Sequence, residues 1–393
     1  MDLTSMLERE DFFPSFFNTV QKYYKEAMNA EISFSFASTK KDCNMVIKPR
    51  LSAVSSIHMS RRAREFYYSE WNIRNSVLKY LIAKTYVFFM TRTGRPLSQF
   101  QFEMTPKVDN FNDIVIAPNN RSIRFFDYRE NTVGCMIKEG FTDKFFRNQI
   151  EFRKHHHYEF MLPLTKYGED WFQEPIMHGH PLARVTKEKT YQSAITEAIN
   201  NIMTLAEDSL EYKDCGEYVK QIKDKLMNML GTAISKKDIK RTFEAERIID
   251  YAAQEAILFE KPIPLVMSHG DFQTGNIWVD KTEKVWIYDW ETVAKRSIWY
   301  DISVLQYSLR RAYGWKDFIE LSAFSFPQTD AYVDGVYASD EIRGIKGIVM
   351  LEDLCFYLED MLELPEKWGS ELFDAFINRL IDIDIVKNNI NAG

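Results

Sequence analysis

Five short runs with strand character fall between residues 113 and 177, and links of three residues join the first three. "DIVIAP" (113–118), "SIRFFDY" (122–128) and "TVGCMIK" (132–138) are separated only by "NNR" and "REN". Links that short suit hairpins, so these three strands are expected to be antiparallel neighbours. A helix follows, with Thr142 or Asp143 as its cap and "KFFRNQIEFRKHH" carrying it to about His156. "FMLPLT" and "WFQEPIM" then read as two more strands across "YGED", and "HGHPL" ends the region. From Thr186 the texture changes to helical spacing in "TYQSAITEAINNIMTLAED", "CGEYVKQIKDKLMNMLG" and "SKKDIKRTFEAERIIDYAAQEAIL". Only "GNIWV" and "VWIYDW", a hairpin across "DKTEK", interrupt it. The expectation is an α+β, bilobal chain. Residues 1–107 form an N-terminal extension, mostly helical, basic and aromatic. Residues 108–180 form a small lobe of five antiparallel strands and one helix. Residues 181–393 form a larger, mainly helical lobe.

A chain of 393 residues with 45% apolar and 27% charged residues can bury cores of this size. No stretch of about 18 apolar residues occurs, and the N-terminus carries acids where a leader would carry bases. The four cysteines are far apart and form no CxxC, as expected of reduced cytoplasmic thiols. The net charge of −7 hides an asymmetry: residues 40–95 hold twelve bases and three acids, residues 330–379 twelve acids and four bases. Opposite blocks suit separate surfaces with separate partners, or two differently solvated faces.

The loop "HGDFQTGN" (269–276) enters the hairpin, and "IYDWE" (287–291) leaves it. Asp271 and Asn276 are five residues apart, and Asp289 closes the second strand. Phosphoryl transfer needs these types. A loop Asp orients a hydroxyl and relieves it of its proton. An amide oxygen and a carboxylate suit Mg²⁺, a hard cation. Positioning and electrostatics then supply most of the catalysis.

The paired stretches resemble the aminoglycoside phosphotransferase and choline kinase group, relatives of the protein kinases, over about Ile114 to Leu309. The Asp-to-Asn spacing is also that of the protein-kinase catalytic loop. The resemblance implies a protein kinase-like fold, ATP and Mg²⁺ as cofactors, and a hydroxyl of a small molecule or glycan as acceptor. By position, Asp271 would be the catalytic Asp, Asn276 and Asp289 the metal ligands, and Glu291 a neighbour of metal or acceptor. His269 would fix the loop. Asp301 would brace it or, on the other reading, cap the following helix. Lys138 ends the third strand, where such enzymes hold the nucleotide phosphates, unless it is a solvated strand end. Its expected partner is Glu151, yet at 100° per residue Glu151 falls opposite Phe145, Phe146, Ile150 and Phe152. Backbone groups of Glu174 and Ile176 or Met177 would form the hinge that meets adenine, with Pro175 removing one donor. The first hairpin turn lacks glycine, but Asn119 and Asn120 tolerate positive φ, and Arg121 adds charge near phosphate.

Two histidine clusters, 155–157 and 178–180, read as a helix end and a turn rather than metal ligands. The acids Glu352, Asp353, Glu359 and Asp360 read as a solvated helix face, or as the acidic helix that related enzymes turn toward cationic acceptors. In the extension, Arg61, Arg62, Arg64, Arg74, Lys79 and Lys84 lie among Phe66, Tyr67, Tyr68, Trp71, Tyr80, Tyr86, Phe88 and Phe89. That pattern suits an ordinary helix packed on the small lobe, or peripheral contact with the anionic inner face of a membrane. No nucleic-acid module is expected. A pseudokinase-like nucleotide-binding scaffold is the alternative function. A protein kinase is disfavoured, because the segment from Asp289 to Asp301 is short for peptide docking and no Ala-Pro-Glu follows it.

Overall fold

The computed structural model describes residues 11–47, 51–70, 77–92, 100–119, 121–141, 144–236, 242–311, 313–321, 337–363 and 366–381. Asn120, Thr142, Asp143, Trp71 and Arg74 lie outside these. The chain divides into two compact units. The first is Met1–His180 with Arg184–Lys187 and Asp280–Thr282, and the second holds the remainder.

The first unit begins with α1 (Phe12–Ala27), β1 (Ser33–Phe36), β2 (Met45–Ile47) and β3 (Val54–Ser56). Then come α2 (Arg64–Glu70), α3 (Val77–Arg92) and β4 (Phe100–Thr105). It continues with β5 (Ile114–Pro118), β6 (Ser122–Asp127), β7 (Thr132–Ile137), α4 (Lys144–His155), β8 (Lys166–Tyr167) and β9 (Trp171–Pro175). One nine-stranded sheet runs β1-β4-β2-β3-β5-β6-β7-β9-β8. Every pairing in it is antiparallel. The small lobe is therefore not five-stranded. Four strands from before residue 107 extend the expected five, and Val54↔Ile116 is the register that joins the groups. "FMLPLT" is not a full strand. Pro163 has no N–H to give a ladder, and the strand beside β9 is the two-residue β8.

Two helices sandwich the β5–β9 part of the sheet. Phe146 and Ile150 of α4 pack on Cys135, Ile137 and Phe172 of one face. Phe12, Phe16, Val20, Tyr23 and Tyr24 of α1, a stripe with helical spacing, pack with Ile123, Phe125 and Met136 on the other. Tyr23 stacks on Phe125 with ring centroids 3.8 Å apart. Gly134 makes room for it, since a Cβ there would lie 1.9 Å from the Tyr23 hydroxyl. Polar ties fasten α1 lengthwise. Ser15 donates to the Glu139 carbonyl at 2.8 Å, the Glu139 N–H donates to Thr19 Oγ1 at 2.8 Å, and Lys22 pairs with Asp170 at 2.9 Å.

β10 (Gly179–Pro181) precedes the helical unit: α5 (Glu188–Ser209), β11 (Glu211–Lys213), α6 (Cys215–Lys236), α7 (Thr242–Ala256), β12 (Ile263–Ser268), β13 (Ile277–Asp280), β14 (Val285–Ile287) and β15 (Ala294–Ser297). Then follow α8 (Trp299–Gln306), α9 (Gly314–Glu320), α10 (Ser339–Glu363) and α11 (Glu366–Ile381). The hairpin β13–β14 is as expected, but it is not alone. A second antiparallel sheet, β11-β12-β15, accompanies it. Helix α10 runs through the core and is buried around most of its circumference. Glu352 and Asp353 are among its buried residues, so they are not a solvated face.

Candidate active-site loop

The loop 269–276 leaves the buried end of β12, and two features fix its first turn. Asp301 in the first turn of α8 accepts the N–H of His269 on Oδ2 at 2.6 Å and that of Gly270 on Oδ1 at 2.9 Å. It therefore braces the loop. It does not cap α8, whose N-cap residue is Ile298. Gly270 has φ +87°, and a Cβ there would meet the Thr292 carbonyl at 2.5 Å, so only glycine suits the turn. His269 spans the loop. Its Nε2 donates to the Tyr288 carbonyl at 2.7 Å, and its Nδ1 accepts the Asp271 N–H at 3.3 Å. A carbonyl only accepts and an amide N–H only donates, so these partners set the tautomer. Thr292 Oγ1 closes the turn on the His269 carbonyl at 2.9 Å.

Asp271 is half-buried and held on both oxygens. Oδ1 accepts Nε of Arg310 at 2.8 Å, and Oδ2 accepts Gln273 Nε2 and Asn276 Nδ2, each at 2.9 Å. A carboxylate offers about four lone-pair positions, so one on Oδ1 is left for a further donor. Burial pushes the Asp271 carboxyl up. The charge and hydrogen bond of Arg310, with help from Gln273, outweigh burial and hold the carboxyl below its usual range. Arg310 is itself fixed, with Nη2 donating to the Gly270 carbonyl at 2.8 Å and to Tyr300 Oη at 2.9 Å. Its Nη1 donates to Asp353 Oδ1 at 2.5 Å, and its plane lies 4.1 Å from the Phe356 ring centroid. Tyr300 also donates to Asp353 Oδ1, at 2.7 Å, while Asp353 Oδ2 is buried with no hydrogen-bond partner.

Asn276 donates both to the Asp271 carbonyl and to Asp271 Oδ2 through Nδ2, at 2.9 Å each. Its amide nitrogen is thus committed to the loop, which turns the amide oxygen away from it. The Asn276 carbonyl accepts the Tyr288 N–H at 2.8 Å. That bond continues the Ile277↔Ile287 register and puts Asp289 next to Asn276's partner. Asp289 has φ 68° and ψ 58°, left-handed backbone that Asp tolerates better than most residues. Glu291 follows in the single turn Trp290–Thr292 and is half-buried. His269, Asp271, Asn276 and Asp301 thus form one bonded cluster, with Asp289 at its hairpin edge.

Among the expected nucleotide residues of the first unit, Lys138 and Glu151 do not pair. Lys138 is 1% exposed, on the sheet face that α1 covers, with Nζ 5.6 Å from the Phe12 ring centroid and 5.4 Å from that of Phe141. It is not a solvated strand end, and it does not meet Glu151. The Glu151 side chain is 61% exposed and pairs with Lys154 at 2.8 Å and His155 at 3.7 Å. The helical phase explains this, because Phe145, Phe146, Ile150 and Phe152 take the inner side of α4. The Glu174 side chain pairs with the buried Arg153 at 2.6 Å. The Ile176 N–H donates to the Asn131 carbonyl at 3.0 Å, so it is already used and cannot read a base as placed. Met177 is half-buried after β9. The Arg121 guanidinium lies 5.5 Å from the Phe145 ring centroid.

Sequence reasoning missed Arg310. It lies in "SLRRA", beyond the motif, and nothing in its spacing points to Asp271. A signal did exist for Asp353, an acid inside an apolar helical run, but its partner was invisible. Glu352 is similar. It accepts Tyr218 Oη and Ser297 Oγ at 2.6 Å each, and burial, only partly offset by these bonds, pushes its carboxyl up to about 7.

No protein-family model matches the chain, and no curated protein is similar to it in sequence. Several solved structures align with it. A choline/ethanolamine kinase family protein from Mesorhizobium loti covers 72% of this chain and 93% of its own, at 12% identity and a TM-score of 0.44. An ethanolamine kinase from Plasmodium vivax covers 84% and 95%, at 13% identity and a TM-score of 0.42. An aminoglycoside phosphotransferase covers 68% and 93%, at 12% identity and a TM-score of 0.41.

Proposed function

We propose that the protein is an ATP-dependent phosphotransferase of protein kinase-like fold, moving the γ-phosphoryl group to a hydroxyl of a small molecule or glycan. The observation that carries this is the Asp271 carboxylate. It is braced through Asp301, oriented by Arg310, Gln273 and Asn276, and left with one lone-pair position on Oδ1. An acceptor hydroxyl donating there is aimed by a group that cannot rotate away. The hydroxyl oxygen forms the new bond to phosphorus, and the bond from phosphorus to the bridging oxygen breaks. ADP leaves with that electron pair. A carboxylate held low by Arg310 is a weak base, so it suits a late proton transfer, after the attacking oxygen has become acidic through bonding to phosphorus. Asp271 therefore acts first by orientation.

Mg²⁺ fits the donors present. The Asn276 amide oxygen and the Asp289 carboxylate are hard oxygen ligands, and the commitment of Asn276 Nδ2 to Asp271 is what leaves that oxygen for a cation. When bound, the ion neutralises phosphate charge. Glu291 lies close enough in sequence to face metal or acceptor.

The second reading, a pseudokinase-like binding module, draws support from the sealed Lys138 and the engaged Ile176 N–H. One experiment separates the two. The protein is incubated with ATP, Mg²⁺ and a panel of sugars, aminoglycosides and amino alcohols, and product is followed by phosphorus NMR, with Asp271→Asn as control. Acceptor-dependent phosphate ester that the variant fails to make supports the phosphotransferase. Nucleotide binding without ester on any acceptor supports the second reading.

A further inference from the structure

Helix α3 is apolar on the wrong side. Its inner face is satisfied, because Ala83, Val87, Met90 and Thr91 are buried, with Val87 and Met90 packing against Met59, Phe66 and Tyr67. At 100° per residue, Leu78, Leu81, Phe88 and Phe89 centre on the opposite face, with Val77 and Ile82 beside them. These six are between 44% and 78% exposed. A soluble helix carries charge on that side. Here the sixteen residues hold Lys79, Lys84 and Arg92 and no acid at all.

We propose that the outer face of α3 docks on an anionic membrane surface and lies in its interfacial plane. The helix does not span. No helix among the described residues is long and apolar enough to cross a membrane, and sixteen residues rise only about 24 Å. It is apolar nearly all round, and with one side packed on the protein the other is left outward, as an interfacial contact requires. Aliphatic and Phe side chains point outward, and Lys79 and Lys84 emerge on either side of the buried stripe. Lys84 Nζ lies 4.4 Å from the Tyr80 ring centroid and Arg92 3.9 Å from that of Phe88. Long cationic stems laid along rings carry their charge to headgroup level while the rings enter the acyl boundary.

Charge decides against a second copy of the chain. In a two-fold contact this face would meet itself, apolar on apolar, and α3 would bring cations and no acid to either copy. An occupant must bring negative charge and an apolar layer together, and an anionic bilayer does both. Of the cations the sequence singles out, Lys79 and Lys84 lie on this helix, and Arg92 joins them. Arg64 is tied to the Met59 carbonyl at 3.0 Å, and Phe66 and Tyr67 are core residues. The contact belongs to residues 77–92.

The test is co-sedimentation of the full chain with vesicles containing about one-third phosphatidylglycerol, against pure phosphatidylcholine, at about 50 mM salt and again at several hundred millimolar. The expected result is binding to the anionic vesicles alone, with release by salt. Lys79→Gln and Lys84→Gln should each weaken partitioning roughly fivefold. The pair Leu81→Ser with Phe89→Ser should weaken it more than about tenfold. Both side chains are exposed, so the melting temperature should stay near wild type. Three results would each overturn the proposal. One is no sedimentation with anionic vesicles at low salt. Another is undiminished binding by the serine pair. The third is a wild-type dimer that the serine pair splits, which would give the face to a second copy.

Discussion

Arg310 holds Asp271 through a single nitrogen, Nε to Oδ1 at 2.8 Å, while the rest of its fork grips Gly270, Tyr300 and Asp353. A guanidinium so divided sets the position of the carboxylate as well as its charge, and lysine cannot reproduce that geometry.

Removing the cation should therefore change a pH profile. Asp271 sits in surroundings that raise its carboxyl, and Arg310 more than offsets them, so that in the wild type it is held below its ordinary 3.8. With Arg310→Gln the burial remains and the cation does not, so the acid limb of kcat/KM should move to higher pH. The variant should also lose roughly 10- to 100-fold in kcat. An acid limb that stays put would separate Asp271 from Arg310. A melting curve checks that the loss is not unfolding, because breaking a buried pair costs about 3–5 kcal/mol.

Asp271→Asn should lower turnover by about 10²- to 10⁴-fold while nucleotide affinity stays close to wild type. Single-turnover kinetics with a verified acceptor would show it. A variant that turns over normally removes Asp271 from the chemistry.

For Asp289→Ala, calorimetry with and without Mg²⁺ is the informative measurement. Loss of a hard ligand should weaken metal-dependent nucleotide binding more than metal-free binding. Equal losses would mean that the residue serves the left-handed turn it occupies.

Asp301→Ala should be costly to the fold of the loop. It strands two buried N–H groups, of His269 and Gly270, each worth about 1–3 kcal/mol. Gly270→Ala should do comparable damage, because the added methyl carbon meets backbone at 2.5 Å. Both should depress the melting temperature by several degrees together with kcat. An alanine at either position that leaves both unchanged would show the brace to be dispensable.

Glu352 should make stability fall as pH rises. Its folded carboxyl titrates near 7, against an ordinary 4.5. Between those values the folded chain keeps a proton that the unfolded chain has released. Stability is therefore full below about 4.5 and declines up to about 7. The decline is on the order of 3 kcal/mol at most. Glu352→Gln should flatten that part of the melting temperature against pH. An unaltered slope would locate the proton elsewhere.

The elements legible in the sequence are those whose signal is local. β5, β6 and β7 alternate between tight turns, and α5, α6 and α7 carry long apolar periods. The loop 269–276 could be read because Asp271, Asn276 and Asp289 are ordered around one hairpin. What escaped was long-range. β1 to β3 are three or four residues each, and nothing near them states that Val54 will pair with Ile116. β15 is "AKRS", without an apolar residue to announce it beyond alanine. Arg310 reaches Asp271 across 39 positions. Glu151 shows the converse, since its helical phase alone points it to solvent, where it pairs with Lys154.

The seal that α1 lays over Lys138 has a consequence for titrations. Phe12 and its neighbours occupy that sheet face, so an anion seeking the ammonium competes with the protein's own helix. For an anion that reached it only with α1 lifted, the measured affinity would be the intrinsic one scaled by the fraction of molecules so opened. At one molecule in a hundred, a ligand of intrinsic micromolar strength would read as about 0.1 mM. Loosening the helix at Phe12 would tighten such binding without touching any group the ligand meets.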